Sequence, residues 1–105
     1  MRLSAGWILA AMIVPASAQA AGSYANEMQI RVGQTISQEQ CSACHAVAGS
    51  GSGSDAAPSF AAVAMKRDDA FLRSFLAKPH GNMPMVDLTN AQVDAIIAYI
   101  GSLKK

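Results

Sequence analysis

The sequence is short of most features that would mark a β-protein, a nucleic-acid binder or a membrane span. No stretch alternates apolar and polar residues in the period-two pattern of a half-buried strand, and no segment repeats, which leaves an all-α domain. Charge of one sign is equally scarce: Lys and Arg number eight and Asp and Glu seven. Without Arg2, at the extreme N-terminus, seven basic residues face seven acidic ones. No basic excess argues for nucleic acid or for an anionic membrane surface. The apolar run Trp7 to Val14 has eight residues, whereas a spanning helix needs about 20. There is one tryptophan, Trp7, and there are two cysteines, Cys41 and Cys44.

What is present at the N-terminus is a three-part layout. Arg2 supplies a short positive start, the Trp7–Val14 run follows, and Pro15 leads into the small residues "ASAQAAGS". This is the pattern of a secretory signal peptide, with cleavage expected after Ala18 or Ala20. Residues 1–20 are therefore set aside from the fold, and residues 21–105 form one domain of about 85 residues. A domain this small buries a limited fraction of its surface and commonly relies on a staple, a metal or a cofactor.

Helical signals then recur along the chain. A first helix is expected from about Asn26 to Cys44, with Asn26 as N-cap, Gln29 three residues on, and Met28, Val32 and Ile36 at helical spacing. "GSGSGSDAAPSF" reads as a loop closing at Pro58. Asp68 is placed to cap "DAFLRSFLAK", in which Phe71, Leu72, Phe75 and Leu76 form an apolar stripe ahead of Pro79. "PHGNMP" is irregular, since prolines bracket it. Thr89 and Gln92 make a capping-box pattern before Val93, Ile96, Ile97, Ile100 and Leu103.

Against this background "CSACH", residues 41–45, can be weighed. A disulfide between Cys41 and Cys44 would suit an oxidising compartment but would close a very small loop. A thioredoxin-like dithiol needs a βαβ context, which is missing. A zinc site needs four protein ligands, and beyond the motif only His80 is left. Cys-x-x-Cys-His is the attachment signature of c-type haem. Residues three apart share one side of a helical turn, so both thiols can form thioethers along one porphyrin edge while His45 turns under the ring to face iron. The second axial ligand is sought among Met28, Met65, Met83 and Met85. Met28 and Met65 read as core packing, whereas Met83 and Met85 lie in the irregular "HGNMPMV" segment, from which a thioether can project. Spacing alone does not separate those two.

From about Gly33 to Lys104 the chain resembles the class I monohaem cytochromes c, especially the short bacterial periplasmic ones. "CSACH", "APSF", "FLRSFLAKPHGNMP" and "VDAIIAYIGSL" stand in the order of that family. The resemblance implies three to four helices around one haem c held by Cys41 and Cys44, with His45 and Met83, the methionine before proline, as axial ligands. It implies that the carbonyl of Pro58 steadies the His45 ring, and that Gly33 and Tyr99 meet where the first and last helices cross. The family's aromatic residue on the first helix is Ser37 here, with Ile36 as the expected substitute. Its tryptophan near a haem propionate corresponds to Phe75, which leaves Arg73 as a weak candidate for that role.

The function implied is a soluble periplasmic electron carrier rather than an enzyme, monomeric, and without a membrane span once the signal is removed. It would exchange electrons with redox proteins such as a dehydrogenase, a cytochrome complex or an oxidase. The alternatives are a haem subunit bound permanently in a dehydrogenase or oxidase, and an open-iron gas-binding or peroxidase-like protein. Ala43, Ala46 and Val47 are expected to surround an exposed haem edge where partners dock. Lys66, Arg67 and Lys78 are the basic residues able to form a local patch beside it.

Overall fold

The described residues of the computed structural model form four helices: α1 (Ala16–Gln40), α2 (Phe60–Lys66), α3 (Asp69–Ala77) and α4 (Asn90–Ser102). The structure describes Gly6, residues 16–49, Gly51, residues 53–54, 57–78 and 83–105, the first six of α1 through their backbone alone. Trp7, Pro79 and His80 lie outside these. Among the described residues there is no strand, and no helix is long and apolar enough to cross a membrane.

Local chemistry starts three of the helices. Ser59 Oγ accepts from the Ala62 N–H at 3.2 Å to open α2. Asp68 Oδ1 accepts from the Phe71 N–H at 2.8 Å to open α3. At α4 the capping box is complete: Thr89 Oγ1 accepts from the Gln92 N–H at 3.2 Å, and Gln92 Oε1 accepts from the Thr89 N–H at 2.9 Å. Each cap satisfies amide groups that the first helical turn leaves without an internal partner.

α1 departs from its expected bounds. Asn26 is an exposed residue inside the helix, not its cap, because the helix already runs from Ala16. At the other end α1 stops at Gln40, and Cys41–Cys44 continue as a turn. That turn stays helical in its bonding: the Cys41 N–H donates to Ser37 O at 2.9 Å and the His45 N–H to Cys41 O at 3.0 Å.

The apolar side of α1 also points elsewhere than the Met28, Val32, Ile36 spacing suggests. Met28 and Val32 are 40% and 47% exposed. Gly33 and Ser37 are buried instead, and Ile30 and Ile36 flank the core. The reason is backbone proximity. A Cβ placed on Gly33 would stand 1.9 Å from Ala95 O and 2.8 Å from the Tyr99 Cβ. Only a residue without a side chain lets α1 come so near to α4. Ser37, fully buried, returns its hydroxyl to Gly33 O at 2.7 Å, so its polar atom is satisfied within the helix. It is Ser37, together with half-buried Ile36, that fills the place of the family aromatic.

α4 is the hub. Val93, Ala95, Ile96, Ile97, Tyr99 and Ile100 are all buried, Ile96 completely, and α1, α2 and α3 each pack against this helix. Phe60, Ala64 and Leu72 carry α2 and α3 into the same core. Of the expected α3 stripe, Leu72 is buried and Leu76 packs on its edge, but Phe71 is 40% exposed. Phe71 stacks on Phe75 at 5.8 Å and carries the Arg67 guanidinium 4.3 Å from its ring centroid. Met65, expected in the core, is 56% exposed.

The crossing gives the first testable consequence. Gly33→Ala must push α1 off α4 or distort Ala95, and overpacking of this kind costs about 1–3 kcal/mol. A fall of that size is expected in the unfolding free energy from denaturant titration, whereas Gly22→Ala, where nothing lies within 4 Å, should not lower it.

Candidate haem-binding site

The turn that ends α1 presents Cys41 and Cys44 from consecutive turns of backbone onto one cleft. Cys41 is buried, and that burial pushes its thiol above the ordinary range. Cys44 is exposed. His45 lines the same cleft, as does Met83 from the irregular segment before α4, with Ala57, Pro84 and Val86 completing much of the apolar wall.

The orientation of His45 is set by its backbone neighbours. Its Nδ1 lies 2.7 Å from the carbonyl oxygen of Pro58. A carbonyl can only accept, so Nδ1 carries the proton of this bond, and in the neutral ring the lone pair is then on Nε2. The ring also meets Phe60 at 5.4 Å between centroids, tilted by 52°. The Pro58 carbonyl is itself held by a tight loop. A Cβ on Gly53 would come within 2.2 Å of Ser59 N and 2.6 Å of Pro58 C, so the loop backbone passes this close only because residue 53 is glycine.

The two residues after His45 are tied down as well. Ala46 O accepts from the Phe60 N–H at 2.9 Å. Val47 O accepts from the Tyr99 hydroxyl at 2.5 Å. Val47 is therefore a core residue, 8% exposed, and not part of a surface rim. Its apolar side chain belongs to the α4 cluster, while Ala43 remains exposed and Ala46 half-buried.

Structure separates the methionines that spacing leaves equal. Met83 is half-buried in the cleft with the cysteines and His45. Met85, two residues on, is 73% exposed and faces a different groove beside Arg73, Leu76 and Val93. Alternation along an extended segment sends neighbours at i and i+1 to opposite sides, but Met83 and Met85 share a parity. Met83 nonetheless borders the cysteine cleft and Met85 the neighbouring groove, while Val86 lines both. Met28 and Met65 are exposed and do not line the cleft. Arg73 is paired with Asp94, its Nη1 2.5 Å from Asp94 Oδ1 with both side chains about half exposed.

The donor set fits a covalently held porphyrin. Two thiols three residues apart, an imidazole with a free Nε2 and a thioether all border one cleft whose remaining wall is largely apolar. Among the described residues, no group of three or more His, Cys, Asp and Glu side chains converges as a metal site of another kind would require. Two contributors escaped the sequence reading. Gly53 looks like one more residue of a Gly/Ser loop, and the Tyr99 hydroxyl is silent behind the ring that the helix crossing calls for. The signal for the second is that tyrosine, and not phenylalanine, occupies a buried position, where its hydroxyl needs a partner.

Comparison with known proteins bears on the same stretch. The family model for cytochrome c matches residues 30–104. Cytochrome c-552 of Bradyrhizobium diazoefficiens (strain JCM 10833 / BCRC 13528 / IAM 13628 / NBRC 14792 / USDA 110) is 40% identical over 75 residues, covering 69% of this chain and 72% of that protein. No solved structure matches significantly. The matched region opens just ahead of the α1–α4 crossing and takes in the cysteine turn, the cleft and the whole of α4. With its all-helical fold, the chain belongs to the cytochrome c family of haem electron carriers.

Proposed function

We propose that the protein is an exported bacterial electron carrier of the periplasm, with residues 1–20 removed as a signal peptide and 21–105 forming the working domain. One haem c is joined by thioethers to Cys41 and Cys44 and ligated axially by His45 and Met83. The observation that carries this reading is the cleft itself: Met83 borders it together with His45, whose Nδ1 is 2.7 Å from the Pro58 carbonyl.

When bound, haem supplies an iron that gains and loses one electron; everything else is the work of the chain. Cys41 and Cys44 hold the cofactor permanently, so it is not lost when the axial bonds loosen. Pro58, accepting from Nδ1–H, fixes the imidazole tautomer and makes Nε2 a stronger donor. The Met83 thioether favours the ferrous state relative to a harder ligand and raises the reduction potential. Were His45 and Met83 both to hold the iron in this largely apolar cleft, no site would be left open to gas or peroxide, which favours the carrier reading over the open-iron one. The exposed stretch Gly22–Gln29 at the start of the domain is compatible with removal of what precedes it.

Docking is assigned to the exposed side of the cysteine turn, around Ala43 and Cys44, without Val47. The domain's seven basic and seven acidic residues balance, so redox partners such as a dehydrogenase, a cytochrome complex or an oxidase are met with weak electrostatic steering by a monomer that releases them after each transfer.

Three measurements test this. Haem should stay with the protein through denaturation and acid–acetone extraction, because thioethers do not dissociate; colour passing to the organic phase defeats the attachment. Cell fractionation should find the product in the periplasm with an N-terminus at residue 19 or 21. Met83→Ala should abolish the weak charge-transfer absorption of a methionine–iron bond, admit carbon monoxide and lower the reduction potential, while Met85→Ala leaves all three unchanged. The reverse pattern would move the ligand to Met85.

Partner kinetics give a further expectation. Between about 0.01 and 0.15 M salt the screening length contracts from roughly 30 to 8 Å. The rate of electron transfer to a physiological partner, followed by stopped flow, should change by less than about threefold over that range, as weak steering requires. A tenfold fall would instead indicate that Lys66, Arg67 and Lys78 form a local basic docking patch, and a complex surviving gel filtration would favour the permanent-subunit alternative.

A further inference from the structure

Three consecutive residues, His45, Ala46 and Val47, each make a hydrogen bond to a distant part of the chain. The His45 ring bonds Pro58 O at 2.7 Å and Ala46 O accepts from the Phe60 N–H at 2.9 Å. Both partners belong to one short segment at the entrance to α2, so these two bonds reach the hub helix only indirectly, through the packing of Phe60 and α2 on the core. The third bond runs from Tyr99, in the hub helix, to Val47 O at 2.5 Å. Tyr99 is 4% exposed. Its Cβ stands where a side chain on Gly33 would collide, at the α1–α4 crossing, and its hydroxyl reaches the motif. One side chain thus spans from the closest helix contact of the fold to the residues that carry the imidazole.

We propose that Tyr99 is a positioning residue for the His45 ligand: its hydroxyl anchors the Val47 carbonyl to α4 and thereby holds His45 in register with the Pro58 carbonyl. The inference rests on the reading of His45 as an axial ligand. Burial pushes the Tyr99 phenol above its ordinary range, so the hydroxyl remains a donor through neutral pH. Packing alone would be served by phenylalanine. The oxygen adds a directional bond to a buried carbonyl, which would otherwise lose its partner.

The test uses holoprotein carrying Tyr99→Phe, which removes a single oxygen. Hydrogen exchange at His45 Nδ1–H and at the Phe60 amide, read by nuclear magnetic resonance, should accelerate by about tenfold relative to the Leu72 amide of α3, since a lost buried hydrogen bond is worth roughly that factor locally. The reduction potential should move upward, because a looser Nδ1–H···O=C bond leaves the imidazole a poorer donor to ferric iron. Ile96→Val, which thins the same core without touching the hydroxyl, serves as the control for general destabilisation. It should raise exchange evenly across the three sites and leave the potential in place. 4-Aminophenylalanine at position 99 restores a donor and should return exchange and potential toward wild type. If too little Tyr99→Phe holoprotein forms, 4-fluorophenylalanine, which fills the space of the hydroxyl but donates no hydrogen bond, takes its place, and exchange identical to wild type at all three sites overturns the proposal. Tyr99→Phe behaving like Ile96→Val overturns it too. A wild-type His45 ring proton without the paramagnetic shift of an iron-bound imidazole would remove the ligand assignment instead, leaving the Tyr99 bond as a purely structural latch.

Discussion

The close approach of α1 and α4 is the constraint from which the rest of the molecule follows. Gly33 has no side chain, and an atom added there would overlap the Ala95 carbonyl. With the two backbones this near, Tyr99 is trapped against α1, Ile96 is sealed from water, and Val93, Ile97 and Ile100 join the core to which α2 and α3 bring Phe60, Ala64 and Leu72. A domain of about 85 residues has little apolar area to spare. Bringing two helices into backbone contact is one way for it to exclude water completely along a line, with dispersion contacts that a looser crossing would forfeit. The cysteine turn then leaves the end of α1 in a fixed direction, which is why a site built on a turn can be definite in position.

The site inherits this order through backbone groups more than through side chains. The carbonyls of Pro58, Ala46 and Val47 do most of the aligning, and each is reached by a residue from another part of the chain. Backbone acceptors suit such a role because their positions are set by the fold and carry no rotamer freedom to be lost. Gly53 contributes in the same indirect manner, by permitting a loop to pass close behind Pro58.

Legibility in the sequence divides along physical lines. Features with a local cause were readable: the Asp68 and Thr89 caps need only the next three residues, and both stand in the structure as their spacing implies. The cysteine–histidine motif and the order of its neighbouring segments were equally plain, as the cytochrome c match shows. Features decided by distant parts of the chain were not. The Met28–Val32 spacing marks a real apolar stripe on α1, but the helix packs through Gly33 and Ser37, whose small size matters and whose hydropathy is uninformative. Val47 looks like a surface neighbour of the motif until Tyr99 reaches it from 52 positions away. Met83 and Met85 differ only in which groove the chain around Pro84 turns them toward, and no local rule states that.

The pairing of the first helix with the last has a consequence for the order in which the chain can acquire its structure. A polypeptide emerging with its N-terminus first exposes α1 long before α4 exists, and α1 alone has no partner for Gly33 or Ser37. Contacts between the two ends carry the highest loop-closure cost in the chain, so they are expected to form late. Until the final turn of α4 is released, the cysteines sit on an unfinished and accessible turn, and afterwards Cys41 is enclosed. Synthesis itself therefore opens an interval in which Cys41 is chemically approachable, and the docking of α4 brings that interval to a close while Cys44 stays exposed.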